Sequence, residues 1–242
     1  MTFEVVREAL GTRRVRNAFL LSRNDGYLYV SNPKAACSTL KLYLSRCELR
    51  DPDYKPASVH RRKCLPHLHP FSLAPNEREA LPGEDVFVFS FVRHPIARVL
   101  SAYGDKIHGR TQQKAGILRA LNLDPEDLAQ DVSFDAFVGV IAEYPSAELN
   151  PHWRPQVHNL VPDLLPYDFI GLVERFDADL GAVRTRLGLP DYAMSTRNRK
   201  GGRLDPEALM TPELEAKLTR LYDRDFETFG YDPGSWRRRA VA

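Results

Sequence analysis

The chain of 242 residues reads as an α/β protein, a doubly wound parallel sheet flanked by helices in a single domain. Three observations point there. Short β-rich apolar runs stand at Tyr27–Val30, Val86–Val92 and Tyr167–Val173. Segments of helical period follow each run, and that alternation builds parallel sheets. The middle run, Val-Phe-Val-Phe-Ser-Phe-Val, is apolar at nearly every position, as a strand covered on both faces must be.

Taken in order, residues 1–26 are mixed in charge and weakly patterned, which predicts a surface lead-in to a first strand at Tyr27–Val30. Asn32-Pro33 signals a turn. Leu40, Tyr43, Leu44 and Cys47 then fall at i, i+3, i+4 and i+7, one apolar helical face. Residues 51–75 are rich in proline, histidine and basic side chains and predict a long irregular connection, docked by Leu65, Leu68, Phe71 and Leu73. After the strand at Val86–Val92, Pro95 opens a helix whose buried face is Ile96, Val99, Leu100 and Tyr103. Helices are expected over 112–121 and, capped by Ser133, over 134–144. A strand at 167–173 precedes a helix at 176–187 that Gly188 and Pro190 stop. A basic loop at 197–203 separates it from the last helix, opened by Thr211-Pro212. The domain is thus expected over 27–232, with 233–242 a tail.

Hydrophobic content of 43% and charged content of 27% are globular values, sufficient for a sizeable core. A formal net charge of +2 gives no footprint for nucleic acid. Cys37, Cys47 and Cys64 form neither a metal spacing nor an even disulfide set, so a reducing compartment fits. No apolar run approaches the roughly 20 residues that cross a bilayer, and the N-terminus lacks the apolar core of a signal peptide. A cytoplasmic location is the expectation, or a lumenal one if an anchor has been removed.

The chemistry starts at residues 27–41, strand, tight loop, helix. Lys34, the small residues Ala35, Ala36 and Cys37, and the hydroxyls Ser38 and Thr39 form an anion cradle. Helix N-termini present unpaired N–H groups, small side chains let backbone approach a phosphate, and lysine adds a mobile charge. The glycines of a Walker A loop are missing, and the lysine precedes the small residues instead of following them. A second anion grip is Arg93, at a strand end where α/β sheets collect ligands, with Ser101 on the following helix. The plain alternatives are a solvent-facing Lys34 and a locally paired Arg93.

Asn32-Pro-Lys-Ala-Ala-Cys-Ser-Thr-Leu-Lys41, together with Phe91-Val-Arg-His-Pro-Ile-Ala-Arg-Val-Leu-Ser-Ala-Tyr103, resembles the two cofactor signatures of sulfotransferases. The chain is similar to the Golgi carbohydrate sulfotransferases of the chondroitin and dermatan 4-O type. Val59-His60, Leu65 to Ser72, His152-Trp-Arg-Pro-Gln156, Tyr167 to Gly171 and Tyr222 to Tyr231 continue the likeness in order. The resemblance implies a P-loop-NTPase-like fold and the donor 3′-phosphoadenylyl sulfate (PAPS), giving PAP as product, with no metal required. It assigns the 5′-phosphosulfate to Lys34, Ala35, Ala36, Cys37, Ser38 and Thr39, and the 3′-phosphate to Arg93 and Ser101. The loop at 197–203 lies where some sulfotransferases add a phosphate contact, although its sequence matches no family pattern.

Sulfuryl transfer needs a base for the acceptor hydroxyl and a cation for the leaving oxygen. Lys34 is the cation. His60 corresponds to the family's histidine near the acceptor and suits a base with a near-neutral pKa; His67 and His69 share its loop and compete with it. His152, Trp153 and Arg154, with His67 and His69, are the acceptor candidates; Trp153 reads equally as a buried anchor. His94 reads as local scaffolding, His108 and His158 as surface residues. A zinc site at Cys64, His67 and His69 lacks ligand spacing and a fourth partner. The reading is an O-sulfotransferase acting on a hydroxyl-bearing acceptor, a glycan or glycosylated metabolite. Its rivals are a small-molecule P-loop kinase and a non-catalytic glycan- or nucleotide-binding relative.

Overall fold

A computed structural model describes residues 3–194 and 205–237. The N-terminal elements are α1 (Phe3–Leu10), α2 (Thr12–Ala18), β1 (Phe19–Ser22), β2 (Tyr27–Val30) and α3 (Cys37–Leu49). Next come α4 (Pro75–Glu79), β3 (Phe87–Val92), α5 (Pro95–Ala102), α6 (Ala115–Ala120), α7 (Phe134–Glu143) and α8 (Gln156–Leu160). The chain closes with β4 (Phe169–Leu172), α9 (Phe176–Leu187), α10 (Pro206–Leu209), α11 (Pro212–Leu221) and α12 (Asp223–Phe229). The expected α/β architecture is present: a mostly parallel four-stranded sheet with helices around it.

The described residues cluster in two compact units, 3–92 with 159–194, and 93–158 with 205–237. The first holds the sheet, ordered β1-β2-β3-β4. β2 and β4 flank β3 in parallel, and β1 runs antiparallel to β2 with Phe19 opposite Val30. One sheet face contributes Tyr27, Tyr29, Phe89 and Phe91 to a core that α3 closes with Leu40, Tyr43, Leu44 and Cys47, and α9 with Leu180 and Val183. Gly171 stands opposite Phe91 in the β3–β4 ladder. A Cβ there would lie 2.5 Å from the Phe91 ring, so only glycine fits.

The second unit is helical and has its own core, built from Ile96 and Val99 of α5, Phe134, Phe137 and Ile141 of α7, and Leu214 and Leu218 of α11. Trp153 and Tyr222 are buried in it. The Ser133 hydroxyl accepts from Ala136 N–H and caps α7 as expected.

Two expectations are corrected. Residues 3–22 form two helices and a strand, not a plain lead-in: all four residues of β1 are buried in the sheet. Asn24-Asp25-Gly26, with Gly26 at φ 64°, is the hairpin signal that identifies it. The helix opened by Thr211-Pro212 is not the last, because the chain breaks at Tyr222 and α12 follows.

Candidate active site

The cradle joins β2 to α3. Asn32 is fully buried; its Nδ2 donates to the Phe91 carbonyl at 3.2 Å, and its Oδ1 accepts from Asn159 Nδ2 at 3.3 Å. Those bonds pin the loop's first residue to the neighbouring strand. Beyond it, Lys34 (φ 67°) and Ala36 (φ 54°) both occupy the left-handed region. Each such residue costs about 1–2 kcal/mol, a strain that observed functional loops carry. The loop thus makes its turn with two non-glycine residues at positive φ. Ala36 is the N-cap of α3, and no side chain caps that helix start. The first N–H groups of this 13-residue helix are left without a side-chain cap next to Lys34 and the half-buried Cys37, Ser38 and Thr39.

The long connection brings a histidine to that surface. Val59 is buried and anchors the chain, while His60 is exposed, with its Nε2 3.3 Å from Ser38 Oγ. His67 is elsewhere. It is 4% exposed beneath the sheet, with Nε2 bonded to Tyr27 OH at 2.8 Å, and burial pushes its pKa down to about 3. Buried in the core with Nε2 engaged by Tyr27, this imidazole is out of reach of a substrate, so that expectation fails for His67. The cause is the pairing of Leu68 with Leu21, which draws this segment onto β1. His69 is half-buried beside Phe71, its pKa held low by burial and then by Arg62 and Arg16.

Lys41, given no task by the sequence reading, lies buried on α3. Burial, with Arg14 and Arg62 nearby, lowers its pKa.

In the second unit, Arg93 is half-buried at the entry to α5, and Ser101 is half-buried near that helix's end. Gln156 grips the Arg93 peptide: its Oε1 accepts from Arg93 N–H at 3.0 Å, and its Nε2 donates to the Arg93 carbonyl at 2.9 Å. His94 caps α5, accepting from Ile96 N–H at 3.2 Å, in keeping with a scaffolding role. Arg98, fully buried, donates to the carbonyls of Arg154 and Pro151, each at 2.8 Å. Sequence reasoning missed Gln156 and Arg98; the signal was their place inside the two matched stretches.

Among the acceptor candidates, His152 shares a 2.7 Å hydrogen bond with Asn150 Oδ1, and Arg154 donates to the Ala147 carbonyl at 3.2 Å. Trp153 is 3% exposed and edge-on to Phe137 at 5.4 Å. No ring face is left for a sugar, so Trp153 is the structural anchor. The basic loop at 197–203 lies outside the described residues. Among the described residues no set of histidine, cysteine or acidic side chains is arranged to hold a metal, and no helix is long and apolar enough to cross a membrane.

The fold is that of an α/β protein with a strand, a tight loop and a helix at residues 27–49. The profile of the Sulfotransferase family matches residues 17–232, and the chain belongs to that family. Carbohydrate sulfotransferase 14 of Mus musculus is 32% identical over 240 residues, covering 92% of this chain and 62% of the relative. Its Danio rerio counterpart is 31% identical over 231 residues, covering 88% and 61%. Carbohydrate sulfotransferase 11 of Rattus norvegicus is 28% identical over 229 residues, covering 85% and 64%. The chain therefore spans less than two thirds of the length of these relatives. No solved structure gives a significant match.

Proposed function

We propose that this chain transfers the sulfuryl group of PAPS to a hydroxyl of a carbohydrate. Family membership supports sulfuryl transfer, and similarity to carbohydrate sulfotransferases supports a carbohydrate acceptor. The observation that carries the reading is the 3.3 Å approach of His60 Nε2 to Ser38 Oγ, which supports His60 as a base acting at the loop of Lys34 to Thr39.

In this reading the cradle of Lys34, Ala35, Ala36, Cys37, Ser38 and Thr39 takes the 5′-phosphosulfate, and Arg93 with Ser101 takes the 3′-phosphate. The acceptor oxygen attacks sulfur in line with the bond to the phosphate oxygen, in analogy with phosphoryl transfer. The acceptor proton passes to His60 Nε2, the S–O bond to phosphate breaks, and its electron pair leaves on PAP, where Lys34 meets the growing charge. His69, His152 and Arg154 remain candidates for holding the acceptor. Ring and guanidinium groups of that kind orient sugar hydroxyls and acidic substituents.

The test is calorimetry with PAP and, separately, ATP–Mg, followed by turnover with labelled PAPS over a panel of carbohydrate hydroxyls. Preference for PAP and transfer of label are expected. Preference for ATP–Mg favours a kinase, and PAP binding with no transfer to any acceptor class favours a non-catalytic relative.

A further inference from the structure

Two stretches, His152 to Gln156 and Tyr222 to Asp232, carry residues that hold the dipeptide Arg93-His94. Gln156 is fully buried and closes a ring of two hydrogen bonds on the Arg93 peptide, accepting at 3.0 Å and donating at 2.9 Å. Only an amide both gives and takes in this way; a carboxylate lacks the donor and an aliphatic chain lacks both. Gln156 is itself braced. The Asp225 carboxylate, fully buried, accepts from Gln156 N–H at 2.8 Å, from Val157 N–H at 2.9 Å and from Gln156 Nε2 at 3.3 Å. A buried carboxylate with this many N–H donors is held in one orientation and passes that rigidity to the amide.

The other half of the dipeptide is fixed from the same stretch. His94 Nε2 bonds the Asp232 carbonyl at 3.0 Å, and a carbonyl only accepts, so that nitrogen carries the proton. The ring meets Phe226 edge-on at 5.5 Å and Tyr231 at 5.3 Å.

We infer that Gln156, braced by Asp225, is a positioning residue. It fixes the backbone from which Arg93 extends its guanidinium, and thereby selects nucleotides that carry a 3′-phosphate. The assignment rests on the sulfotransferase reading above. A role confined to folding would weaken every ligand alike or melt the chain; a positioning role weakens only what Arg93 touches.

The test compares PAP with adenosine 5′-monophosphate, which lacks the 3′-phosphate, by calorimetry on the full chain. For Gln156→Leu the expected result is a loss of about tenfold or more in PAP affinity, with the monophosphate changed less than about twofold. The PAPS KM should rise far more than kcat falls. Gln156→Glu keeps the size and one acceptor, and serves if Gln156→Leu does not fold; it should show the same selective loss. Asp225→Asn, which retains an oxygen acceptor, should fall between parent and Gln156→Leu. Equal losses for both nucleotides, or none for either, overturn the assignment. A parent that binds PAP no better than the monophosphate overturns the sulfotransferase reading itself, and is recognised before any variant is made.

Discussion

Three histidines within ten residues have three different environments, and each environment sets a task. His60 is exposed beside Ser38, the position in which the proposed reading uses it as the base. His60→Ala should lower kcat by about 100-fold or more with the PAPS KM little changed, the range for a lost general base, measured in steady-state assays. Lys34→Ala should lower kcat by a similar factor, because the charge it meets develops only as the bond to phosphate breaks. His67 is a stability residue instead. Its folded pKa of about 3 lies below the ordinary histidine value of 6.5, so it stays neutral in the folded chain while the unfolded chain gains a proton. That contribution is complete above pH 6.5 and is lost as pH falls toward 3, reaching about 2 kcal/mol at pH 5. Urea unfolding at pH 7 and pH 5 should therefore show a smaller acid penalty in His67→Gln than in the parent. An equal penalty would remove His67 from the account of acid sensitivity.

At the scale of elements, the cradle and the sheet depend on opposite demands on the backbone. Ala36 holds φ 54° without being glycine. Ala36→Gly should stabilise the chain by about 0.5–1 kcal/mol, since relief of left-handed strain outweighs the added freedom of the unfolded chain. Chemical denaturation measures this directly. Gly171 has the reverse problem: its missing side chain is occupied by the Phe91 ring, which Phe169 and Phe176 hold in place at 6.5 and 5.5 Å. Gly171→Ala should destabilise by about 2–3 kcal/mol, the range for overpacking a rigid core. Many elements were legible because their signals are local. Gly188 stops α9 at Leu187, Ser133 caps α7, and Pro95 starts α5. β1 was not, since four residues among charged neighbours form a strand only once β2 lies beside them.

For the whole molecule, binding of PAP should appear as stability. At about 100 times its Kd a ligand that binds only the folded chain adds about 2.7 kcal/mol, or roughly 5–10 °C in Tm for a chain of this size. Differential scanning fluorimetry should show that shift with PAP and little with adenosine 5′-monophosphate at the same concentration. Arg93→Ala should remove most of the difference. Two cores, one around the sheet and one among α5, α7 and α11, divide the described residues. The chain leaves the first unit after Val92 and returns at Asn159. That interleaving is a property of contacts far apart in sequence, and no periodicity announces it.

The sequence alone determined the strand, loop and helix around Lys34, most of the succession of strands and helices, and the kinship of the two signature stretches, because each is written in neighbouring residues. Only the tertiary structure decided which histidine faces the cradle, that Trp153 is core, and that Gln156 holds Arg93 across 63 positions. Burial and hydrogen-bond partners are set by segments that meet only in the folded chain. Residues as near as His60 and His67 therefore end up in different surroundings, one exposed beside Ser38 and the other buried against Tyr27.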